Sequence, residues 1–253
     1  MAQAGTLFLV PAPLDFGCAI QAPLTDVMPA ATLEVAARLT HWIAENAKST
    51  RAYLKRVGEL HPLAQPMQSI TITELPREVH KKGDHVPGFD ARPLLAAALA
   101  GHDMGLVSEA GMPAVADPGS SVVRAAHELD LRVVPLVGPV SLMLALAASG
   151  LNGQDFAFVG YLPQQGAARA QRIKELEALA VRTGQTQLFI ETPYRNPALW
   201  QGLLENLRGA SRLAVATGLS LPNARTASKT VLQWKREPCP LAGDTPAVFL
   251  LGP

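Results

Sequence analysis

Two glycine-containing loops of the chain have the residue types of a ligand site. The first, residues 108–119, contains Gly111 and follows the apolar segment Met104–Val107. The second, Gly138–Ser141, follows the apolar segment Arg132–Val137. Glycine lets main-chain N–H and C=O groups come close to a ligand, and ligands of open α/β sheets bind beyond the carboxyl ends of the strands. The loops therefore indicate a site lined by backbone, although the same residues also form ordinary tight turns.

Basic residues recur at helical spacing in a second candidate region. Lys48, Arg51 and Lys55 are three and four residues apart in the segment Thr32–Val57, whose apolar pattern predicts one long helix. Side chains at this spacing lie on one face of a helix. That face is either a patch that contacts phosphates or an ordinary solvated surface.

A few further side chains are candidates for contact with a substrate or a proton. His80 lies in a polar segment, His80–Asp90, which predicts a mobile loop, and Arg195 follows a predicted strand. An arginine can pair with a phosphate or a carboxylate. Alternatively, Arg195 only caps the edge of the sheet and binds no ligand. Glu45, Glu191 and His80 could each accept a proton in general base catalysis, and the sequence does not choose between them.

The pattern of strands and helices predicts how these residues are positioned. In the first half, strands alternate with helices, which is typical of a parallel sheet. Later strands follow one another without helices, which predicts a mixed sheet. The predicted strands are Leu7–Val10, Ile70–Thr73, Met104–Val107, Arg132–Val137, Phe156–Tyr161, Gln187–Ile190, Leu213–Ala216, Thr230–Trp234 and Val248–Leu251. The predicted helices are Thr32–Val57, Arg92–Ala100, Ser120–Leu129, Val140–Ser149, Ala167–Val181 and Pro197–Leu207. We therefore expect two α/β domains, residues 1–138 and 139–253.

Composition excludes several classes of protein. Of the 253 residues, 48% are hydrophobic and 17% charged, whereas a disordered chain has low hydrophobicity and high charge. The formal net charge of +1 excludes a basic field over the whole protein, so binding to nucleic acid would need a local patch. No apolar run approaches the ~20 residues of a membrane span. We expect a cytoplasmic protein without a membrane segment.

Familiar signatures of other enzyme classes are absent from the sequence. No G-x-G-x-x-G follows the first strand, and there is neither a Walker A lysine loop nor a G-x-S-x-G elbow. The sequence has no H-E-x-x-H motif, and neither cysteine has a partner at metal-ligand spacing. We therefore expect no bound metal.

A set of segments, taken in order, resembles a known superfamily. The matching segments are Leu7–Pro13, Leu106–Gly119, Val134–Ser141, Ala148–Leu151, Phe158–Pro163 and Phe189–Arg195. The sequence is similar to the tetrapyrrole methylase superfamily of S-adenosylmethionine-dependent methyltransferases. Within it, the chain looks most like the branch of the RsmI-type 16S rRNA ribose 2′-O-methyltransferases. The most specific segment is the loop that begins Ser-Glu-Ala-Gly and ends Asp-Pro-Gly.

The resemblance implies a homodimer of two-domain α/β chains, with S-adenosylmethionine in the cleft between the domains, held largely by backbone atoms. Carried over residue by residue, it implies contacts with the cofactor from Pro11, Glu109, Ala110, Gly111, Pro113, Val115, Val140, Ser141, Ile190, Glu191, Ala216, Thr217, Pro246 and Ala247. It also implies ribosomal RNA or the small ribosomal subunit as the partner of the basic face.

The region after the first strand departs from the pattern of that branch. Pro13-Leu14-Asp15-Phe16-Gly17 stands where the branch has Pro-x-Gly-Asn-Leu. Two other functions therefore stay open. The chain could methylate a small molecule such as a tetrapyrrole, or it could bind S-adenosylmethionine without any transferase activity.

Overall fold

The computed structural model describes residues 3–76, 78–79, 84, 88–241 and 245–253. The chain divides into two compact units. The first comprises the residues up to Gly17 and Gln21–Pro139, and the second comprises Cys18–Ile20 and Val140–Pro253. Each unit is built around one five-stranded sheet with helices, so the predicted pair of α/β folds is confirmed. Within the described ranges, no helix has both the length and the apolar character needed to cross a membrane.

The first unit contains a wholly parallel sheet with the strand order β3-β2-β4-β1-β5. Its strands are β1 (Thr6–Leu9), β2 (His41–Ala44), β3 (Thr71–Glu74), β4 (Met104–Val107) and β5 (Arg132–Pro135). Its helices are α1 (Leu24–Val27), α2 (Ala30–Arg38), α3 (Ala47–Gly58), α4 (Ala96–Leu99) and α5 (Ser120–Glu128), with 3-10 turns at Met67–Ser69 and Arg92–Leu95. Because β1 lies between β4 and β5, the loops that follow these three strands are neighbours at one edge of the sheet.

Apolar side chains cover both faces of this sheet, as a parallel sheet requires. Trp42 packs with residues of α2 and α3 on one face. On the other face, Ile43 packs with residues of α5. The inner strands β1, β2 and β4 are therefore mostly apolar and do not alternate between apolar and polar residues.

The prediction of one helix over Thr32–Val57 is wrong. The segment contains the end of α2, then the buried strand β2, and then α3. Trp42, Ile43 and Ala44 have no exposed surface, because β2 is an inner strand. A short apolar run that is buried on all sides has no periodicity that separates a strand from a helix.

The second unit contains a mixed sheet with the strand order β6-β7-β10-β8-β9. Its strands are β6 (Phe156–Tyr161), β7 (Thr186–Ile190), β8 (Arg212–Thr217), β9 (Arg225–Thr230) and β10 (Ala247–Gly252). Its helices are α6 (Ser141–Ser149), α7 (Gly166–Thr183), α8 (Asn196–Asn206) and α9 (Val231–Trp234), with a 3-10 turn at Pro193–Arg195. Among the described strands of this second sheet, only β6 and β7 pair in parallel, so the expected mixed sheet is confirmed.

The predicted strand Thr230–Trp234 is wrong as well. Strand β9 ends at Thr230, and the helix α9 begins directly after it. The Thr230 hydroxyl accepts a hydrogen bond from the Gln233 N–H, and the Gln233 side chain accepts one from the Thr230 N–H. This capping box has the Thr-x-x-Gln spacing that starts a helix, and it outweighs the strand propensity of the segment.

Candidate functional site

Three loops of the first unit meet beyond the carboxyl ends of β4, β1 and β5. The Ala12 N–H donates to the Gly111 carbonyl at 2.9 Å, and the Gly111 N–H donates to the Ala12 carbonyl at 3.0 Å. Gly138, after β5, lies so close to Pro11 that a Cβ atom there would be 2.5 Å from the Pro11 Cβ. The loops therefore form one continuous backbone surface. Where Gly111 and Gly138 come closest to the loop after β1, there is no room for a side chain larger than hydrogen.

The loop after β4 has an unusual backbone conformation. Gly111 has φ +72°, and Ala114 and Ala116 have φ 64° and 65°. A left-handed conformation costs about 1–3 kcal/mol at a residue other than glycine, and it persists only where the surroundings impose it. Such strain concentrates at functional sites. Val115, between the two alanines, keeps 41% of its surface exposed.

A buried carboxylate clamps the far end of this loop. The Asp84 carboxylate accepts hydrogen bonds from the N–H groups of Gly119 and Ser121, both at 2.7 Å, and from the hydroxyls of Ser120 and Ser121. Burial by itself would raise the pKa of Asp84, but these hydrogen bonds outweigh it and hold the pKa below its usual value. Asp84 thus stays ionised at the amino end of α5, where a negative charge is favourable.

Three carboxylates belong to this loop or contact it: Glu45 and Glu109 at its start, and Asp117 near its end. The Glu45 Oε2 accepts a hydrogen bond from the Glu109 N–H at 3.2 Å. Burial, with smaller contributions from the charges of Glu45 and Glu109, raises the pKa of Asp117 to about 7. Asp117 therefore exchanges its proton near neutral pH, unlike an ordinary aspartate.

An open pocket of about 440 Å³ adjoins the first part of the loop within the first unit. Its walls come from the segment after β1, from the first turns of α3, and from the residues Val107–Glu109. The Arg56 guanidinium donates two hydrogen bonds of 3.1 Å to the Asp15 carboxylate and a third, of 2.7 Å, to the Ala22 carbonyl. This ion pair is part of the pocket wall and holds the segment after β1 against α3.

The predicted contacts in the second unit gather at one edge of its sheet. Strand β10 runs antiparallel between β7 and β8, so Ala247 at its start pairs with Thr217, and Val248 pairs with both Ile190 and Ala216. The Pro246 carbonyl accepts a hydrogen bond from the Gly218 N–H at 3.1 Å. Helix α6, which begins at Ser141 directly after Val140, packs on the same strands through Leu142.

Glu191 and Arg195 form an ion pair in the second unit. The Arg195 guanidinium donates to the Glu191 Oε1 at 2.7 Å, and the Glu191 side chain is 5% exposed. Burial would raise the pKa of Glu191, but hydrogen bonds from Arg195 and from the Thr192 N–H hold it below its usual value. Glu191 is therefore a weak base, and Arg195 is engaged with a neighbour four residues away.

The basic residues predicted to share a helix face lie on α3. Lys48, Arg51 and Lys55 are exposed, while Tyr53, Leu54 and Val57 on the other side of α3 are buried. The Asn46 side chain caps α3 by accepting hydrogen bonds from the Lys48 and Ser49 N–H groups. The fourth candidate, His80, lies outside the described residues. Within them, no group of three His, Cys, Asp or Glu side chains is placed to hold a metal.

The sequence of the chain matches the model of a known protein family. The family model described as Tetrapyrrole (Corrin/Porphyrin) Methylases matches residues 31–233 of the chain. The chain belongs to the tetrapyrrole methylase family. This confirms the resemblance that the loop 108–119 and its flanking segments indicated.

Curated members of the tetrapyrrole methylase family align with much of the chain. A Ribosomal RNA small subunit methyltransferase I of Pseudomonas aeruginosa is 30% identical over 86% of this chain and 67% of that protein. Its counterpart in Xylella fastidiosa is 30% identical over 85% of this chain and 68% of that protein. A Vibrio cholerae protein of the same name is 34% identical over 54% of this chain, which is 46% of its own length. The chain thus spans about half to two thirds of these relatives, and they place it beside the branch that the sequence indicated.

Solved structures of two methyltransferases share the fold. A uroporphyrin-III-C-methyltransferase from Thermus thermophilus superposes with a TM-score of 0.51 at 18% identity, over 98% of this chain and 92% of that one. The methyltransferase CobJ superposes with a TM-score of 0.57 at 16% identity, over 100% of this chain and 94% of that one. At these identities the comparison establishes the architecture.

The sequence did not reveal Asp84, Asp15 or Arg56 as parts of the site. Asp84 acts on residues at a separation of 35–37 positions, and the Asp15–Arg56 pair spans 41 positions. No short sequence motif predicts contacts between residues so far apart in the chain. A single acidic residue in a polar segment is the only trace that Asp84 leaves in the sequence.

Replacing Gly111 by valine should abolish binding of S-adenosylmethionine while the protein stays folded. At φ +72° a β-branched residue is strained, and its Cβ atom would lie 3.3 Å from the Leu14 Cδ2 and fill the surface between the loops. Calorimetric titration and a thermal melt measure the two effects. The control is Gly184→Val, which has φ +75° at the end of α7 with nothing within 4 Å of the added Cβ. Equal loss in both variants would mean that strain alone is responsible.

Replacing Asp117 by asparagine should stabilise the protein more at pH 8 than at pH 4. In the unfolded chain an aspartate loses its proton near pH 4, whereas folded Asp117 keeps it until about pH 7. As pH rises between these values, Asp117 therefore lowers the stability of the folded state, by about 1.4 kcal/mol for each pH unit. Urea unfolding at both pH values tests this, with exposed Asp26→Asn as the control. A gain that is independent of pH would contradict the raised pKa of Asp117.

Proposed function

We propose that the chain is an S-adenosylmethionine-dependent methyltransferase that acts on ribosomal RNA, with a ribose 2′-hydroxyl as the acceptor. Family membership and the names of the aligned relatives support this function. The main structural support is the strained loop after β4. It is hydrogen-bonded to the loop after β1 and lies beside the loop after β5. A ribosomal substrate would be met in the cytoplasm.

The residues present fit S-adenosylmethionine as the methyl donor. Gly111 offers a backbone surface that a Cβ atom would fill, and exposed Val115 offers an apolar surface beside it. Pro11, Glu109, Ala110 and Pro113 would complete the wall on the first unit. In the second unit the wall would consist of Val140, Ser141, Ile190, Glu191, Ala216, Thr217, Pro246 and Ala247. Bound there, the donor supplies an electrophilic methyl group on a sulfonium sulfur.

The protein's own task is to hold the acceptor oxygen in line with that methyl group and to remove its proton. Holding the two reactants in near-attack geometry accelerates methyl transfer more than proton removal does, because it replaces a bimolecular encounter by a step within one complex. A proton acceptor works best when its pKa lies near the working pH. Asp117 meets that condition with a pKa of about 7, whereas Glu191 is held ionised by Arg195 and accepts a proton poorly.

Methylation of a small molecule is the second candidate. Its support is the fold shared with a uroporphyrin-III-C-methyltransferase and the small net charge of the chain. Donor binding without transfer is a third. Incubation with methyl-tritiated S-adenosylmethionine and either deproteinised 16S rRNA, intact small subunits or a tetrapyrrole separates them. Label in RNA supports the proposal, label in the tetrapyrrole supports the second candidate, and donor binding without label anywhere supports the third.

Reversing the charges of the α3 face should weaken RNA binding and leave donor binding intact. The variant is Lys48→Glu, Arg51→Glu and Lys55→Glu together. Each phosphate contact contributes about 0.7–0.9 to the slope of log affinity against log salt, so the slope should fall by roughly two to three. The control variant reverses three exposed cations of the second unit, Lys174, Arg182 and Lys235. Equal effects of both variants would mean that α3 only adds to the overall charge.

We also propose that the chain forms a homodimer through its second unit. Helix α6 is apolar on its solvent side as well as on its buried side, because Met143, Leu144, Ala147 and Ala148 are exposed. A helix that is apolar all round is normally covered. The edge strand β6 also carries exposed aromatic residues, Phe156, Phe158 and Tyr161. A second copy presents the same apolar surface and would cover both features by symmetry.

Replacing Leu144 by glutamate should convert the dimer into a monomer. Leu144 is 42% exposed, so the charge is tolerated in the isolated chain and is unfavourable only when a partner covers it. Light scattering after gel filtration gives the mass. Val181→Glu, at an apolar residue of α7 that is 46% exposed, should leave the dimer intact. A wild-type protein that is monomeric at high concentration would contradict the proposal.

A further inference from the structure

Two residues in the wall of the open pocket of the first unit have buried hydroxyl groups without a hydrogen-bond partner among the described residues. Tyr53 on α3 and Ser108 directly after β4 are each 5% exposed, and both belong to the pocket wall. Neither the Tyr53 hydroxyl nor the Ser108 Oγ has a partner among the described residues. Buried polar groups in native proteins are nearly always paired, and an exception calls for an explanation.

The other buried polar side chains of the pocket wall are satisfied by neighbours. Asp15 is paired with Arg56, and the Thr50 hydroxyl donates to the Asn46 carbonyl at 2.7 Å. Burial also raises the pKa of the Tyr53 phenol, so its proton stays in place as a hydrogen-bond donor. Among the described residues of the pocket wall, Tyr53 and Ser108 are thus the buried side chains whose hydroxyls have no partner.

The charges around the pocket indicate the chemistry of its occupant. The Asp15–Arg56 pair is neutral, and the remaining charged residues of the wall, Lys48 and Glu109, have opposite signs. A tetrapyrrole with several carboxylates would need a surplus of cations, which the wall does not supply. A nucleoside instead presents hydroxyl and amide groups of no net charge. Phe16 in the wall is 47% exposed and adds an aromatic side chain of the kind on which bases stack.

We infer that this pocket receives one nucleoside of the RNA substrate, turned out of its strand, and that the Tyr53 and Ser108 hydroxyls hydrogen-bond to it. The inference rests on the proposed function and specifies where the acceptor sits. Ser108 and Glu109 belong both to this pocket and to the loop proposed to hold the donor, so the acceptor would lie beside the methyl group.

Tyr53→Phe and Ser108→Ala, separately and together, test the inference with RNA methylation, donor titration and thermal melting of the full chain. Each substitution removes one hydroxyl and little else. We expect KM for 16S rRNA or the small subunit to rise three- to tenfold for each variant, with the donor Kd unchanged. The melting temperature should not fall, because no hydrogen bond of the free protein is lost.

A matched control is Ser149→Ala, at a buried serine of α6 whose hydroxyl donates to the Leu146 carbonyl at 2.8 Å and accepts from the Leu151 N–H at 3.0 Å. This variant should lower the melting temperature and leave KM for RNA unchanged. If Tyr53→Phe or Ser108→Ala behaves in the same way, its hydroxyl is structural and the inference is wrong.

The outcomes for the pocket and for the proposed function are distinguishable. If the wild-type protein labels RNA and the double variant keeps the wild-type KM, only the nucleoside pocket is refuted. If the wild-type protein labels no RNA, the proposed function fails, and the nucleoside inference fails with it. A raised donor Kd in either variant would assign the hydroxyls to the donor instead.

Discussion

The reciprocal hydrogen bonds between Ala12 and Gly111 are the contact on which the arrangement of the site depends. They join the loop after β1 to the loop after β4 and use both main-chain groups of each residue. The contact requires Gly111 at φ +72°, and the neighbouring approach of Gly138 to Pro11 requires a second residue without a side chain. Any side chain at these points would separate the loops and remove the surface that they form together.

The strain in the loop after β4 is held by contacts at both of its ends. At the start, Gly111 is tied to Ala12, and the Glu109 N–H is tied to Glu45. At the far end, Asp84 binds Gly119 and the first turn of α5. Between these anchors, Ala114 and Ala116 keep positive φ angles. A backbone that is prepared in this way loses little conformational entropy when a ligand binds, which favours affinity.

Much of the fold could be predicted from the sequence because its elements are bounded by strong local signals. The predicted bounds of β4 and β6 match the structure, and those of α5 and α6 differ by one residue. The two wrong predictions, the helix over Thr32–Val57 and the strand Thr230–Trp234, lie where burial or helix capping outweighs the local sequence pattern. Strand β2 lies in an inner position that leaves no periodicity, and Thr230 starts a helix within a segment of strand-forming residues.

The candidate site was predictable only in part. The loop 108–119 could be recognised from its glycines and prolines and from its place directly after a predicted strand. The clamp by Asp84 and the Asp15–Arg56 pair are products of packing between distant segments, and so is the burial of the Tyr53 and Ser108 hydroxyls, which have no partner within the described part of the chain. The residues of the second unit that follow β7 and β8 come together because β10, the last strand of the chain, inserts between them, and a sequence has no local sign of such an insertion.

Hydrogen exchange of the wild-type chain with and without S-adenosylmethionine tests the central claim most directly, because it reports on the loop backbone itself. We expect the donor to slow exchange of the amide hydrogens at Glu109–Gly111, at Val115 and Ala116, and at Ala12. Amides at the opposite ends of β1 and β4 should be unaffected. Protection that appears elsewhere and leaves residues 108–119 unchanged would contradict the claim that this loop is the donor-binding surface.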